Sequence, residues 1–190
     1  FFFRLYRTKR QLNLELEAAY YELERIATKD PLTNLSNRRD MLEKIEAEIK
    51  RFERTQRPFT VIISDIDHFK NINDNYGHDG GDFILKHISD LFRETIRKQD
   101  IVARWGGEEF LFVLPETDIA GGKIIADKIR TKLEEFVFDF NNQKIPVTMT
   151  FGVSAYYSSE DIDDTIKRAD TALYKGKETG RNKVVLYSEV

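Results

Sequence analysis

Arg104-Trp105-Gly106-Gly107-Glu108-Glu109-Phe110 joins the β-branched run Ile101-Val102-Ala103 to the apolar run Phe110-Leu111-Phe112-Val113-Leu114. Two glycines between strand-like runs predict a tight two-residue hairpin. The turn leaves the acidic pair after it unexplained, because strands disfavour Glu and adjacent like charges repel. A second stretch, Phe59-Thr60-Val61-Ile62-Ile63-Ser64-Asp65-Ile66-Asp67-His68-Phe69-Lys70, is an apolar run of strand length that ends in one carboxylate, with another two residues on. A carboxylate leaving a buried strand needs a partner, since an unpaired charge there is expensive. A divalent cation is the candidate, because Mg²⁺ takes one or two carboxylates and completes its shell with water and phosphate oxygens. Pairing of this strand with the hairpin brings Asp65 beside Glu108 and Glu109.

The 190 residues suffice for one good-sized core and an accessory element, not for two full domains. An apolar fraction of 41% with 33% charged residues is that of an ordinary globular protein. The net charge of −3 implies no basic surface in the aggregate, so no nucleic acid is expected as a partner. With no cysteine, disulfides and cysteine-bound zinc are excluded, which is compatible with the cytosol.

No stretch is long and apolar enough to span a bilayer. Phe1-Phe2-Phe3 followed by Arg4, Arg7, Lys9 and Arg10 nevertheless reads in two ways. It is either the cytoplasmic exit of a membrane helix or a hydrophobic helix turn that happens to stand first. On the former reading the chain is the cytoplasmic portion of an inner-membrane protein, with a sensor or membrane segment upstream. Leu12, Leu16, Ala19, Leu23 and Ile26 follow an a/d spacing, interleaved with Arg10, Glu15, Glu17, Glu22, Glu24 and Arg25. This predicts either a short coiled coil or a helix packed on its own domain. Asp30-Pro31 stops that helix, so the boundary is placed between a linker helix, 1–29, and a globular domain, 30–190.

Beyond the boundary the periodicity predicts a helix over 38–54 and the Asp65 strand. A polar, glycine-rich stretch, 70–82, then leads into a helix with Phe83, Ile84, Ile88, Leu91 and Phe92 inward. The polar stretch fails as an EF-hand, because Phe69, Lys70 and Tyr76 stand where that loop needs an oxygen ligand, a glycine and a bidentate Glu. After the central hairpin come a helix over 121–136, a second hairpin within 137–150, a strand over 147–154, a helix over 162–177 and a closing strand at 184–186. Helices interleaved with a mostly antiparallel sheet predict an α+β sandwich of the ferredoxin-like kind.

Five groups of residues, in order, resemble the GGDEF domains, the diguanylate cyclases, in their GGEEF form. They are Asp30-Pro31-Leu32-Thr33-Asn34-Leu35 with Asn37-Arg38, Asp65-Ile66-Asp67-His68-Phe69-Lys70 with Asn73-Asp74, Gly77-His78 with Gly80 and Asp82, Gly106-Gly107-Glu108-Glu109-Phe110, and Ala172-Leu173-Tyr174 through Lys177 to Gly180-Arg181-Asn182. The likeness runs over about 30–186. It implies a fold like the palm of nucleotide polymerases and the condensation of two GTP into cyclic di-GMP, with release of two pyrophosphates.

By position, the resemblance implies that Asp65, the backbone carbonyl of Ile66, and Glu108 bind two Mg²⁺ (Mn²⁺ being an alternative), with Glu109 assisting. Glu108 is also implied as the base that takes the 3′-hydroxyl proton, with Lys70 beside it in the chemistry. Asn73 and Asp82 would read guanine, whose N1–H and exocyclic amine suit a carboxylate. Lys70, Lys177 and Arg181 would hold the triphosphate with backbone N–H groups around His68 and Phe69. His78 counts among the nucleotide-binding positions, and Gly106 and Gly107 let a nucleotide approach the backbone. Lys177 and Arg181 also read as solvated cations near a helix end, and Trp105 as core packing. Arg97-Lys98-Gln99-Asp100 falls where the family's inhibitory RxxD site lies, so Arg97 and Asp100 would bind the product. Two GTP held antiparallel imply a homodimer. The competing reading is a catalytically silent GGDEF module that binds GTP or cyclic di-GMP and regulates a partner.

Overall fold

The computed structural model describes residues 2–157 and 161–190. Phe1 and the side chains of residues 2–9, on which the membrane-exit reading falls, lie outside the described residues.

A helix, α1 (Phe2–Thr28), precedes α2 (Arg38–Thr55), β1 (Phe59–Ile66), α3 (Phe69–Thr95), β2 (Ile101–Arg104), β3 (Glu109–Leu114) and α4 (Ile119–Glu135). Next come β4 (Phe138–Phe140), β5 (Gln143–Ile145), β6 (Met149–Tyr156), α5 (Ile162–Glu178) and β7 (Val184–Leu186). Five strands form a sheet in the order β2-β3-β1-β6-β7, while β4 and β5 form a separate ribbon. Every pairing in the main sheet is antiparallel except β6–β7. The unit β1-α3-β2-β3-α4-β6 is the ferredoxin-like βαββαβ arrangement expected from the element order.

β1 is apolar on both faces because both are covered. Ile62 and Ile66 pack with α3 and α4, where Ile84, Ile88, Phe92, Ala126, Ile129 and Leu133 are buried. Val61 and Ile63 face the opposite layer, Met41, Ile45 and Phe52 of α2 with Ala169 and Leu173 of α5. Phe92 presents its ring edge-on to Phe110 (5.1 Å) and Phe112 (4.9 Å), tying α3 to β3. Such aromatic pairs contribute roughly 0.5–1.5 kcal/mol each beyond area burial.

Two expectations are corrected. The stretch 70–82 is helical from Phe69 onward and broken only at Gly77 (φ +72°, ψ 173°), where the chain kinks and resumes as helix. The Asn and Asp residues there lower helix propensity, but Phe69 and Ile72 bury against the core and override it. The central turn is wider than a two-residue hairpin. Arg104 pairs with Phe110, and the N–H groups of Trp105 (2.8 Å) and Gly106 (3.3 Å) both donate to the carbonyl of Glu109. Neither Gly106 nor Gly107 has a positive φ, so these glycines serve proximity rather than a left-handed turn.

The boundary segment is tied to that turn. Asp30 accepts from the backbone N–H (2.8 Å) and hydroxyl (2.7 Å) of Thr33, and Arg104 reaches its carboxylate at 3.3 Å. The same guanidinium donates to the carbonyl of Gly107 through Nε (3.0 Å) and Nη2 (2.8 Å). Trp105 is half-buried against the α2 layer, with the Arg38 guanidinium 4.4 Å above its ring, so packing and a cation–π contact share its faces.

Candidate active site

The antiparallel register of β1 on β3 sets Asp65 directly opposite Glu109, and the Ile66 N–H donates to the carbonyl of Glu108 at 3.3 Å. Asp65 is buried at this rim, with Glu108 and Glu109 half-buried beside it. α5 delivers Lys177, whose Nζ lies 2.8 Å from Asp65 Oδ1. Asp65 and the adjacent pair Glu108-Glu109, from two different strands' ends, thus share one rim with the Lys177 ammonium.

Burial and mutual repulsion both raise their proton affinities. Burial pushes the Asp65 carboxyl above its ordinary value, with Lys177 and Arg181 opposing and Asp67 adding. Burial likewise raises Glu108 and Glu109, and the Asp65 charge raises both further, against the pull of Lys177. An all-oxygen set with unsatisfied negative charge has the chemistry of a hard divalent cation site. Among the described residues, no three such side chains close into a ready-made metal cage. A magnesium–nucleotide site needs none, because substrate phosphates and water supply much of the shell.

The first turn of α3 borders the same strand end. His68 caps it in a left-handed conformation (φ +57°), with Phe69 buried and Lys70 exposed. Helix starts leave their leading amides without intrahelical acceptors, which suits them to phosphate oxygens. Across the Gly77 kink, Asn73 meets the helix's second half: a Cβ on Gly81 would sit 2.0 Å from Asn73 Oδ1. The absent side chain there lets the Asn73 amide lie against the backbone at Gly81, the residue before Asp82. His78 and Asp82 are both exposed and lie one helical turn apart. In the hairpin, Gly107 opens onto free space, while a side chain on Gly106 would strike Glu109 Oε2.

Arg97 and Asp100 sit away from the acids, at the end of α3. Asp100 is 7% exposed, and its Oδ2 accepts the Arg97 N–H at 2.9 Å. Its Oδ1 is buried with no hydrogen-bond partner. A cleft of about 520 Å³ opens beside it, lined by Lys29, Lys44, Arg93, Arg97 and Lys98 among others.

Two residues escaped the sequence reading. Asp67 looks like Asp65 in sequence, yet its carboxylate is taken up by Thr148 and Thr150 rather than by the acidic rim. The alternating threonines at 148 and 150 were the available signal. Arg104 went unassigned although it adjoins the glycines, because its partner Asp30 is 74 positions away.

The fold is therefore a ferredoxin-like sandwich that carries an acidic rim beside a helix N-terminus and a lysine. A family model described as "Diguanylate cyclase, GGDEF domain" matches residues 27–183, and the chain belongs to that family. It is 37% identical over 158 residues to diguanylate cyclase DgcP of Pseudomonas aeruginosa, covering 83% of this chain and 24% of that protein. The chain spans 24% to 54% of the length of the first curated relatives it matches.

Among solved structures, it resembles the coiled coil and GGDEF domain of DgcB from Caulobacter crescentus, a complex with c-di-GMP. The TM-score is 0.88 at 26% identity, over 96% of this chain and 97% of that one. It also resembles the active GGEEF domain of a diguanylate cyclase from Vibrio cholerae (TM-score 0.76, 38% identity, 80% of this chain and 97% of that one).

Proposed function

We propose that this chain is the catalytic part of a diguanylate cyclase, condensing two GTP into cyclic di-GMP with release of two pyrophosphates. The observation that carries this reading is the convergence of Asp65, Glu108 and Glu109 at one rim beside Lys177. Asp65, the Ile66 carbonyl, Glu108 and Glu109 would hold two divalent cations, Mg²⁺ or Mn²⁺. The metal supplies activation of the attacking hydroxyl and neutralisation of phosphate charge.

In the absence of nucleotide, Lys177 gives Asp65 its counter-charge. With GTP present, Lys177 turns toward the phosphates together with Lys70, Arg181 and the leading amides of α3. Asn73 and Asp82, with His78 alongside, hold the guanine, and the open face of Gly107 admits the ribose and phosphates. Glu108 accepts the 3′-hydroxyl proton, a task helped by a carboxylate of raised proton affinity.

One rim holds one GTP, so the working unit is a homodimer with half of the reaction on each subunit. The stripe Leu12, Leu16, Leu23 and Ile26 on α1 is 63–69% exposed, as an unpaired coiled-coil seam would be. That exposure favours a parallel helix pair over a helix packed on its own domain. Among the described residues no helix is long and apolar enough to cross a membrane. The proposed setting is the cytoplasmic face of an inner membrane, with a sensor or membrane segment upstream.

Incubation with GTP and Mg²⁺ followed by chromatography tests the assignment, with cyclic di-GMP and pyrophosphate expected. No cyclic di-GMP at any protein concentration would leave only the silent, nucleotide-binding module. Product inhibition through Arg97 and Asp100 is part of the proposal, supported by the orphaned Asp100 oxygen in a cationic cleft. Arg97→Ala is expected to raise the cyclic di-GMP concentration for half-inhibition by about tenfold, the loss of roughly one charge-assisted hydrogen bond. Progress curves with added product measure it, and an unchanged midpoint would remove the inhibitory site from the proposal.

A further inference from the structure

Asp67 stands just past β1 and is 5% exposed. Its Oδ1 accepts from the Thr150 hydroxyl at 2.7 Å, and its Oδ2 accepts from the Thr148 hydroxyl at 2.8 Å and from the backbone N–H of Asn182 at 3.0 Å. A buried carboxylate is tolerated when donors satisfy it, and these three do. The donors come from two other parts of the chain, the start of β6 and the turn after α5.

Arg181 (φ +61°) and Asn182 (φ +46°) are consecutive non-glycine residues in the left-handed region, which L residues adopt at a cost and keep only when their surroundings hold them. Three ties do so. The Arg181 N–H donates to the Gly176 carbonyl at 3.0 Å. The Asn182 side chain bridges Arg130 (3.2 Å) and Glu134 (2.8 Å) of α4. The third tie is the Asn182 N–H to Asp67, which joins the turn to the strand end that carries Asp65.

We infer that Asp67 is a positioning residue: by accepting the Asn182 amide it holds the left-handed turn that presents Arg181 to the nucleotide phosphates at a fixed place relative to Asp65. The two acids of Asp65-Ile66-Asp67 thus divide the work, one facing the cation and phosphates, the other fixing the arm that meets them. The inference rests on the nucleotide reading of the preceding subsection.

Calorimetric titration with α,β-methylene GTP and Mg²⁺, which allows binding without turnover, tests it in a double-variant cycle. Asp67→Asn is expected to raise the dissociation constant by about tenfold, because a displaced ligand arm loses its contact, and Arg181→Ala by a similar factor. The double variant should bind within about twofold of Arg181→Ala alone, since Asp67 acts only through Arg181. Additive losses, about 100-fold in the double variant, would show general loosening of the fold and overturn the inference.

Amide exchange on the wild-type protein gives a reading that needs no substitution. The Asn182 N–H is expected to be protected, and exchange at the rate of an open amide would overturn the inference. Should Asp67→Asn fail to fold, Thr148→Val, which removes one donor from the same Oδ2, takes its place, with an expected increase of about threefold that vanishes in the Arg181→Ala background. If the wild type binds no nucleotide while Asn182 stays protected, the nucleotide reading fails and the tether is left as structural only.

Discussion

Glu108→Gln is expected to reduce cyclic di-GMP synthesis by about 10³-fold while raising the melting temperature of the metal-free protein near neutral pH. The loss follows from the chemistry assigned to the residue, since an amide neither neutralises a cation nor takes a proton from the 3′-hydroxyl. The gain follows from the rim's electrostatics. Burial, then the charge of Asp65, raises the Glu108 carboxyl above its ordinary 4.5, with Lys177 pulling the other way. The folded protein therefore holds that proton more tightly than the unfolded chain does. The stability tied to this group is fully present below its ordinary pKa and disappears as pH rises through the raised, folded-state value.

Above that ordinary value, ionising the half-buried carboxyl works against the fold, and a glutamine of the same shape does not. Melting curves across pH should accordingly show the gap between variant and wild type closing toward about pH 4. Added Mg²⁺ should raise the wild type more than the variant. A variant that melts below the wild type near neutral pH, or that retains turnover within about tenfold, would contradict the placement of Glu108 in a cation-seeking rim.

Leu16→Asp combined with Leu23→Asp is expected to lower specific activity at low protein concentration by about 100-fold, with recovery as concentration rises. Both leucines lie on the exposed stripe of α1 and touch no part of the globular domain's core. Their replacement leaves each subunit's site intact and charges only the seam between two helices. Turnover would then require a chance encounter of two domains, so the rate should acquire a second-order dependence on protein. Sedimentation and activity measured over the same dilution series provide the check. Specific activity that stays flat and equal to the wild type would show that α1 does not set the dimer.

Much of this arrangement could be read from residues alone where each position's neighbours in sequence determine its surroundings. The strand ending at Asp65, the strand after Glu109 and the layers around them follow from apolar runs bounded by turn residues, and their pairing brought the acids together as expected. Where the reading failed, a distant contact outweighed a local preference. The stretch from Lys70 to Asp82 looks like a loop by composition, but Phe69 and Ile72 bury into the α3–α4 layer and carry it into helix, leaving Gly77 as the only break. The glycines at 106 and 107 suggested a tight reversal, but the connection is four residues long and neither glycine has a positive φ. Asp67 and Asp65 could not be told apart by spacing, since only the arrival of β6 and the turn after α5 distinguishes them.

The raised proton affinities at the rim carry a consequence for the lineage of such domains. Each acid sits at the rim of the sheet, where burial disfavours its charged form. Mutation can therefore silence the chemistry and yield a sturdier protein in the same step. On the proposed cyclase reading, only a demand for the product would keep these carboxylates in place, and without it the same architecture would be sturdier and inert.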